Sequence, residues 1–104
     1  MLIYTDIMTY QIQASKQFIK WLKGLKDKIA KARILARIET IELLGNFGDF
    51  KSVGNSVYEL RIYVGKGYRV YYTINKSQVV FLLGGGTKDT QSRDIEKCKK
   101  MIKE

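Results

Sequence analysis

Residues 57–64 (VYELRIYV) and 68–74 (YRVYYTI) alternate apolar and polar side chains on either side of Gly65-Lys66-Gly67. A period of two sends successive side chains to opposite faces of a strand, and glycine supplies the positive φ that a short reversal needs. The segment predicts an antiparallel hairpin with a three-residue loop at 65–67. One face carries Tyr58, Leu60, Ile62, Val64, Tyr68, Val70, Tyr72 and Ile74; the other carries Glu59, Arg61, Tyr63, Arg69, Tyr71 and Thr73. With that loop Arg61 faces Tyr71, Tyr63 faces Arg69, and Glu59 faces Thr73. The two arginines are then diagonal neighbours, within reach of one small anion.

Upstream the period is that of a helix. Ser15 is placed to cap a helix from 16 to about 25, with Phe18, Trp21, Leu22 and Leu25 on one face. Asp27 is placed to cap a second helix over 28–44, with Ile34, Ile38, Ile41 and Leu44 along its buried side. Residues 8–13 (MTYQIQ) alternate well enough for a short first strand. Residues 78–83 (QVVFLL) are apolar without alternation, the pattern of a strand buried on both faces. Thr90 is placed to cap a last helix, 91–103, with Ile95, Cys98 and Ile102 inward. The order β-α-α-β-β-β-α predicts an α+β fold: an antiparallel sheet backed by an N-terminal helical hairpin and a C-terminal helix. At 104 residues the chain has the length of a single domain, and Met8 offers an alternative start that would make 1–7 a dispensable extension.

Chemistry is bounded by what is missing. There is no histidine and one cysteine, Cys98, which removes Ser-His-Asp triads, thiol–imidazole pairs and most zinc sites, and forbids an internal disulfide. No metal or other cofactor is expected. No apolar run approaches the roughly 20 residues of a membrane span, and residues 1–12 lack the basic start and small-residue cleavage site of a secretory signal. A cytoplasmic protein without a membrane partner is expected. Nineteen Lys and Arg against ten Asp and Glu, a net charge of +9, favour a polyanionic partner. Residues 45–88, the strand region, hold six basic residues and only two acids, Asp49 and Glu59.

Two diagonal arginines with only Glu59 facing them have the makings of a phosphate clamp, since guanidinium forks bind phosphate bidentately and can stabilise a developing phosphorane. Tyr63 and Tyr71 are placed to stack on bases or donate protons. The same pattern is also that of a solvated strand face, and both readings stand at this level. Gly84-Gly85-Gly86-Thr87-Lys88 lacks P-loop spacing, so its glycines are assigned to backbone freedom at a strand exit. Cys98 on an apolar stripe is core rather than nucleophile. The basic residues of the two early helices read as a solvated face.

In combination, the ELR of 59–61, the GKGYRVYY of 65–72 and the LLGGGTKDTQSRDI of 82–95 closely resemble the HigB-type addiction module killer proteins of the RelE superfamily; the likeness spans about residues 10–103. This resemblance implies a RelE-like fold, an endoribonuclease acting on mRNA (commonly on the translating ribosome), and a cognate antitoxin, usually a HigA-like helix-turn-helix protein. It places basic catalytic residues at Arg61, Arg69 and Lys88, and a further basic group at Lys51, in a loop. Glu59, Tyr63, Tyr71 and Gln91 complete the expected RNA-binding set. Superfamily members often end in a histidine or tyrosine near the site, and this chain has neither after residue 72. Lys88, Gln91 or Glu59 would have to take part in the proton transfers. The alternative is a non-cleaving RNA- or ribosome-binding regulator that keeps its antitoxin.

Overall fold

The computed structural model describes residues 10–103; residues 8 and 9 of the expected first strand, and the alternative start at Met8, lie outside them. The elements are β1 (Gln11–Ala14), α1 (Lys16–Gly24), α2 (Lys28–Leu44), β2 (Phe50–Gly54), β3 (Val57–Ile62), β4 (Tyr68–Asn75), β5 (Val79–Thr87) and α3 (Gln91–Lys103), with a 3₁₀ turn at Lys88–Thr90 before α3. One sheet has the order β1-β5-β4-β3-β2.

Both early helices start where their capping residues predict. Ser15 Oγ accepts from the Phe18 N–H at 3.0 Å and donates to the Leu83 carbonyl at 2.8 Å, so the cap also ties α1 to β5. Asp27 Oδ1 accepts from the Ala30 N–H at 3.0 Å. Thr90 does not cap α3: its hydroxyl accepts from the Thr87 N–H and donates to Asp94, holding the 3₁₀ turn instead.

The α+β expectation holds, with three corrections to its sheet. First, β2 pairs antiparallel with β3 and was not expected. As an exposed edge strand, its FKSVG sequence has no buried face to imprint an alternation. Asn55 and Ser56 close the β2–β3 hairpin with φ of 54° and 64°, the left-handed pair that suits a two-residue turn. Secondly, β1 runs parallel to β5, so the sheet is mixed. Thirdly, the β3–β4 loop is Tyr63–Gly67, longer than 65–67, and the register moves with it: Arg61 pairs with Arg69 and Glu59 with Tyr71. The shift is by two residues, which preserves every side chain's face. Arg37 of α2 ties the end of β3 to the loop that precedes β2. Its guanidinium donates to the carbonyls of Arg61 (2.8 Å), Phe47 (2.8 Å) and Asp49 (3.1 Å), making it a structural clamp rather than part of a solvated face.

The sheet is covered on both sides. One core joins α1 and α2 to the apolar face through Phe18, Ile34, Ile41, Leu60, Val70 and Tyr72. The other joins α3 to the polar face through Val57, Tyr71, Leu83 and Cys98. β5 contributes to both, which accounts for its non-alternating sequence. Its glycines serve contact, not exit from a strand. A Cβ on Gly85 would enter the Trp21 indole of α1, one on Gly86 would meet Asp94, and one on Gly84 would lie 3.2 Å from Cys98 Sγ. Helices on opposite faces can approach the same strand only because it carries no side chains there. Leu44, expected on the inner stripe, is 72% exposed. Ten residues beyond Ile34, a 3.6-residue period has carried it off the buried face.

Candidate active site

The face expected to lie open is roofed by α3, and the paired registers arrange it in two rows. Lys51, Glu59, Tyr71 and Gly84 form one row across β2, β3, β4 and β5; Arg61, Arg69 and Gly86 form the next. Bare glycines at the β5 end leave room for α3, whose first residue reaches the middle of the first row.

Glu59 is the centre of this group and is 0% exposed. Its Oε2 accepts from the Gln91 side-chain amide at 2.7 Å and from the Tyr71 hydroxyl at 3.2 Å, and lies 3.7 Å from Arg69 Nε. Arg69 is 8% exposed. Burial, with Glu59 beside it, pushes the Tyr71 hydroxyl far above the usual phenol range. Tyr71 therefore stays protonated and acts as a donor to Glu59. It is wholly buried, so in this conformation it cannot stack on a base.

Arg61 stands directly opposite Arg69 but turns its charge outward, with Nη2 3.0 Å from Asp49 Oδ1. The hydrogen bond from Arg61 holds the Asp49 carboxyl below its ordinary value, against a smaller opposing effect of burial, and the same bond raises the guanidinium. Among the described residues, three buried side-chain polar atoms have no hydrogen-bond partner: Glu59 Oε1, Arg61 Nε and Arg69 Nε. Native interiors rarely leave such groups unpaired, and here two of the three are guanidinium donors on neighbouring strands.

The remaining expected residues lie at or beyond the exposed margins of this group. Lys51 is exposed and belongs to β2 rather than to a loop. Tyr63 is exposed in the β3–β4 loop. Lys88 is exposed at the start of the 3₁₀ turn, and its backbone N–H donates to the Gly67 carbonyl at 3.1 Å. Among the described residues its side chain makes no hydrogen bond or ion pair with the Glu59 group. A cavity of about 600 Å³ lies beside the same loop, lined in part by Lys26, Asp27, Lys66, Tyr68 and Thr87, and not over the arginines. Two contributors escaped sequence reasoning, Asp49 and Arg37. Both reach Arg61 across 12 or more residues of chain, a distance at which no local pattern signals a contact.

This sheet, with helices on both faces and arginines paired at its centre, has the fold of the RelE toxins. A double arginine-to-alanine mutant of the Escherichia coli toxin RelE in the free state superposes with a TM-score of 0.74 at 20% identity, covering 91% of this chain and 99% of that one. The archaeal RelE in the RelE–RelB complex of Pyrococcus horikoshii gives 0.56 at 24% identity, over 78% and 97%. The E. coli mutant bound to an antitoxin RelB peptide gives 0.57 at 18% identity, over 83% and 94%. The chain belongs to the phage-derived Gp49-like protein family (DUF891), whose model matches residues 20–103. An uncharacterized protein of Haemophilus influenzae Rd is 47% identical over 97 residues, 93% of this chain and 97% of that protein. The RelE-like fold implied by the resemblance of the hairpin and the glycine run therefore holds.

Proposed function

We propose that this chain is the toxin of a type II toxin–antitoxin pair: a cytoplasmic endoribonuclease that cleaves mRNA on the ribosome, inhibits translation and is held inactive by a HigA-like helix-turn-helix antitoxin. The observation that carries the reading is the pair of buried Nε donors on Arg61 and Arg69, on residues paired across β3 and β4, neither of which has a hydrogen-bond acceptor; Arg69 Nε has only the longer ion-pair contact with Glu59. A phosphate oxygen is the acceptor those donors lack.

In this reading the ribose 2′-oxygen attacks the adjacent phosphorus and the bond to O5′ breaks, leaving a 2′,3′-cyclic phosphate and a 5′-hydroxyl. Arg61 and Arg69 neutralise the phosphorane, where electrostatic stabilisation contributes most. Once α3 lifts from the sheet and uncovers it, Glu59 takes the 2′ proton through Oε1, the oxygen with no hydrogen-bond partner in the closed structure, while Tyr71 holds it by the hydrogen bond to Oε2. The Lys88 ammonium supplies a proton to O5′. Lys51 tracks the backbone and exposed Tyr63 stacks on a base. The antitoxin proposal has support from the RelE relatives whose structures are complexes with RelB.

The cover that α3 places over Glu59, Arg69 and Tyr71 favours a second reading, a regulator that binds RNA or the ribosome without cutting it. Mapping RNA 5′ ends after induction without antitoxin separates the two. New 5′-hydroxyl ends inside coding regions, present with wild type and lost with Arg61→Ala, are expected. Growth arrest with no new ends would sink the ribonuclease reading and leave the regulator.

A further inference from the structure

α2 has a second face that nothing described in this chain covers. Ile34, Ile38 and Ile41 point into the core. On the opposite side of the helix lie Ile29, Ala32, Arg33, Ala36, Glu39, Thr40 and Leu43. Ile29 is 65% and Leu43 58% exposed, and both alanines are open. A shallow groove of about 430 Å³ bounded by Ala32, Leu35, Ala36 and Glu39 runs along its flank. Solvent-facing helix positions normally favour polar residues, so an apolar stripe directly opposite the core stripe calls for a partner.

The arrangement is symmetric about Ala36. Three residues to either side stand Arg33 and Glu39, four to either side Ala32 and Thr40, and seven to either side Ile29 and Leu43. Thr40 satisfies its hydroxyl on the Ala36 carbonyl at 2.9 Å, which leaves its methyl free for contact. An antiparallel copy of α2 laid across this face on a two-fold axis at Ala36 would place small residues at the crossing and Ile29 against Leu43 at each end. It would also set Arg33 against Glu39 twice. Such self-complementarity is the condition for a two-fold interface.

We propose that this face is where a second copy of the chain docks, through antiparallel α2–α2 pairing. The proposal is independent of the ribonuclease reading. One helix pair is a small interface, so association is expected in roughly the micromolar range.

Sedimentation equilibrium on the purified chain up to roughly 0.5 mM tests it. Wild type is expected to dimerise. Ala36→Arg, which sets two cations together on the axis of an exposed helix position, is expected to remain monomeric with unchanged circular dichroism. Arg33→Glu and Glu39→Arg are each expected to weaken self-association about tenfold, because each puts like charges together twice. Mixed with one another, these two variants are expected to recover wild-type affinity as a heterodimer, since opposite charges meet again at both contacts. A wild type that stays monomeric throughout overturns the proposal. A dimer indifferent to Ala36→Arg, or single variants that fail to recover on mixing, would also overturn it.

Discussion

The Gln91 side-chain amide donates to Glu59 Oε2 at 2.7 Å, binding the first residue of α3 to the middle of β3. The bond joins a helix N-terminus to a buried carboxylate 32 positions earlier in the chain. It makes the roof of the arginine pair and the orientation of its carboxylate a single structural unit. The consequences of that coupling differ from residue to residue.

Arg61 and Arg69 share a row but not an environment. Arg61→Ala removes a solvent-screened ion pair with Asp49 and should cost little stability. Arg69→Ala leaves the Glu59 charge buried without its counter-ion and should cost about 3 kcal/mol. Urea denaturation of the two variants would show the contrast. Equal losses would mean that the buried Arg69–Glu59 contact contributes no more than the exposed Arg61–Asp49 pair.

The Asp49 carboxyl is held below its ordinary value of 3.8 by the hydrogen bond from Arg61. A carboxylate whose folded pKa is depressed contributes stability that is complete above the unfolded value and disappears as pH falls through the folded one. The stability difference between wild type and Asp49→Ala is expected to be constant above about pH 5 and to shrink below pH 4. Chemical denaturation from neutral to acid pH reads this directly. A gap that widens in acid would show that the ion pair is not formed.

Arg37 satisfies three carbonyls, two in the loop between α2 and β2 and one on β3. Arg37→Ala should cost about 3 kcal/mol by leaving partly buried acceptors unpaired. Arg37→Lys should recover little of this, since one ammonium cannot reproduce the planar fork. Thermal unfolding of the two variants is the check, and a fully rescued lysine variant would refute the clamp.

The Cys98 thiol is buried against β5, and burial pushes its pKa up to about 11. Alkylation at pH 8 should therefore be slow in the native protein and fast in denaturant, because the thiolate is the reacting species. Mass spectrometry over time would measure both rates. Rapid native labelling would mean that α3 lifts readily from the sheet.

Much of this molecule is legible in its sequence. Ser15 and Asp27 announce the starts of α1 and α2, the period-two run of 57–74 announces β3 and β4, and the parity of that run assigns each side chain to its face. These are local matters, decided by hydrogen bonds and side-chain spacing within a few residues. Arg61, Arg69 and Glu59 could accordingly be placed on one surface with the wrong loop length, because a two-residue slip does not change faces.

Whether that surface is open or roofed was beyond such reasoning. It depends on α3 crossing to the opposite side of the sheet from α1 and α2, and on Gly84 and Gly86 clearing a path for it. β2 was equally silent, since an exposed edge strand has no burial to stamp a pattern on it. The chain by itself determined its elements and the company its polar residues keep on a strand. Only the tertiary structure decided that Glu59, Tyr71 and Arg69 are buried together, because packing energy belongs to contacts between segments remote in sequence and leaves no periodic trace in any one of them.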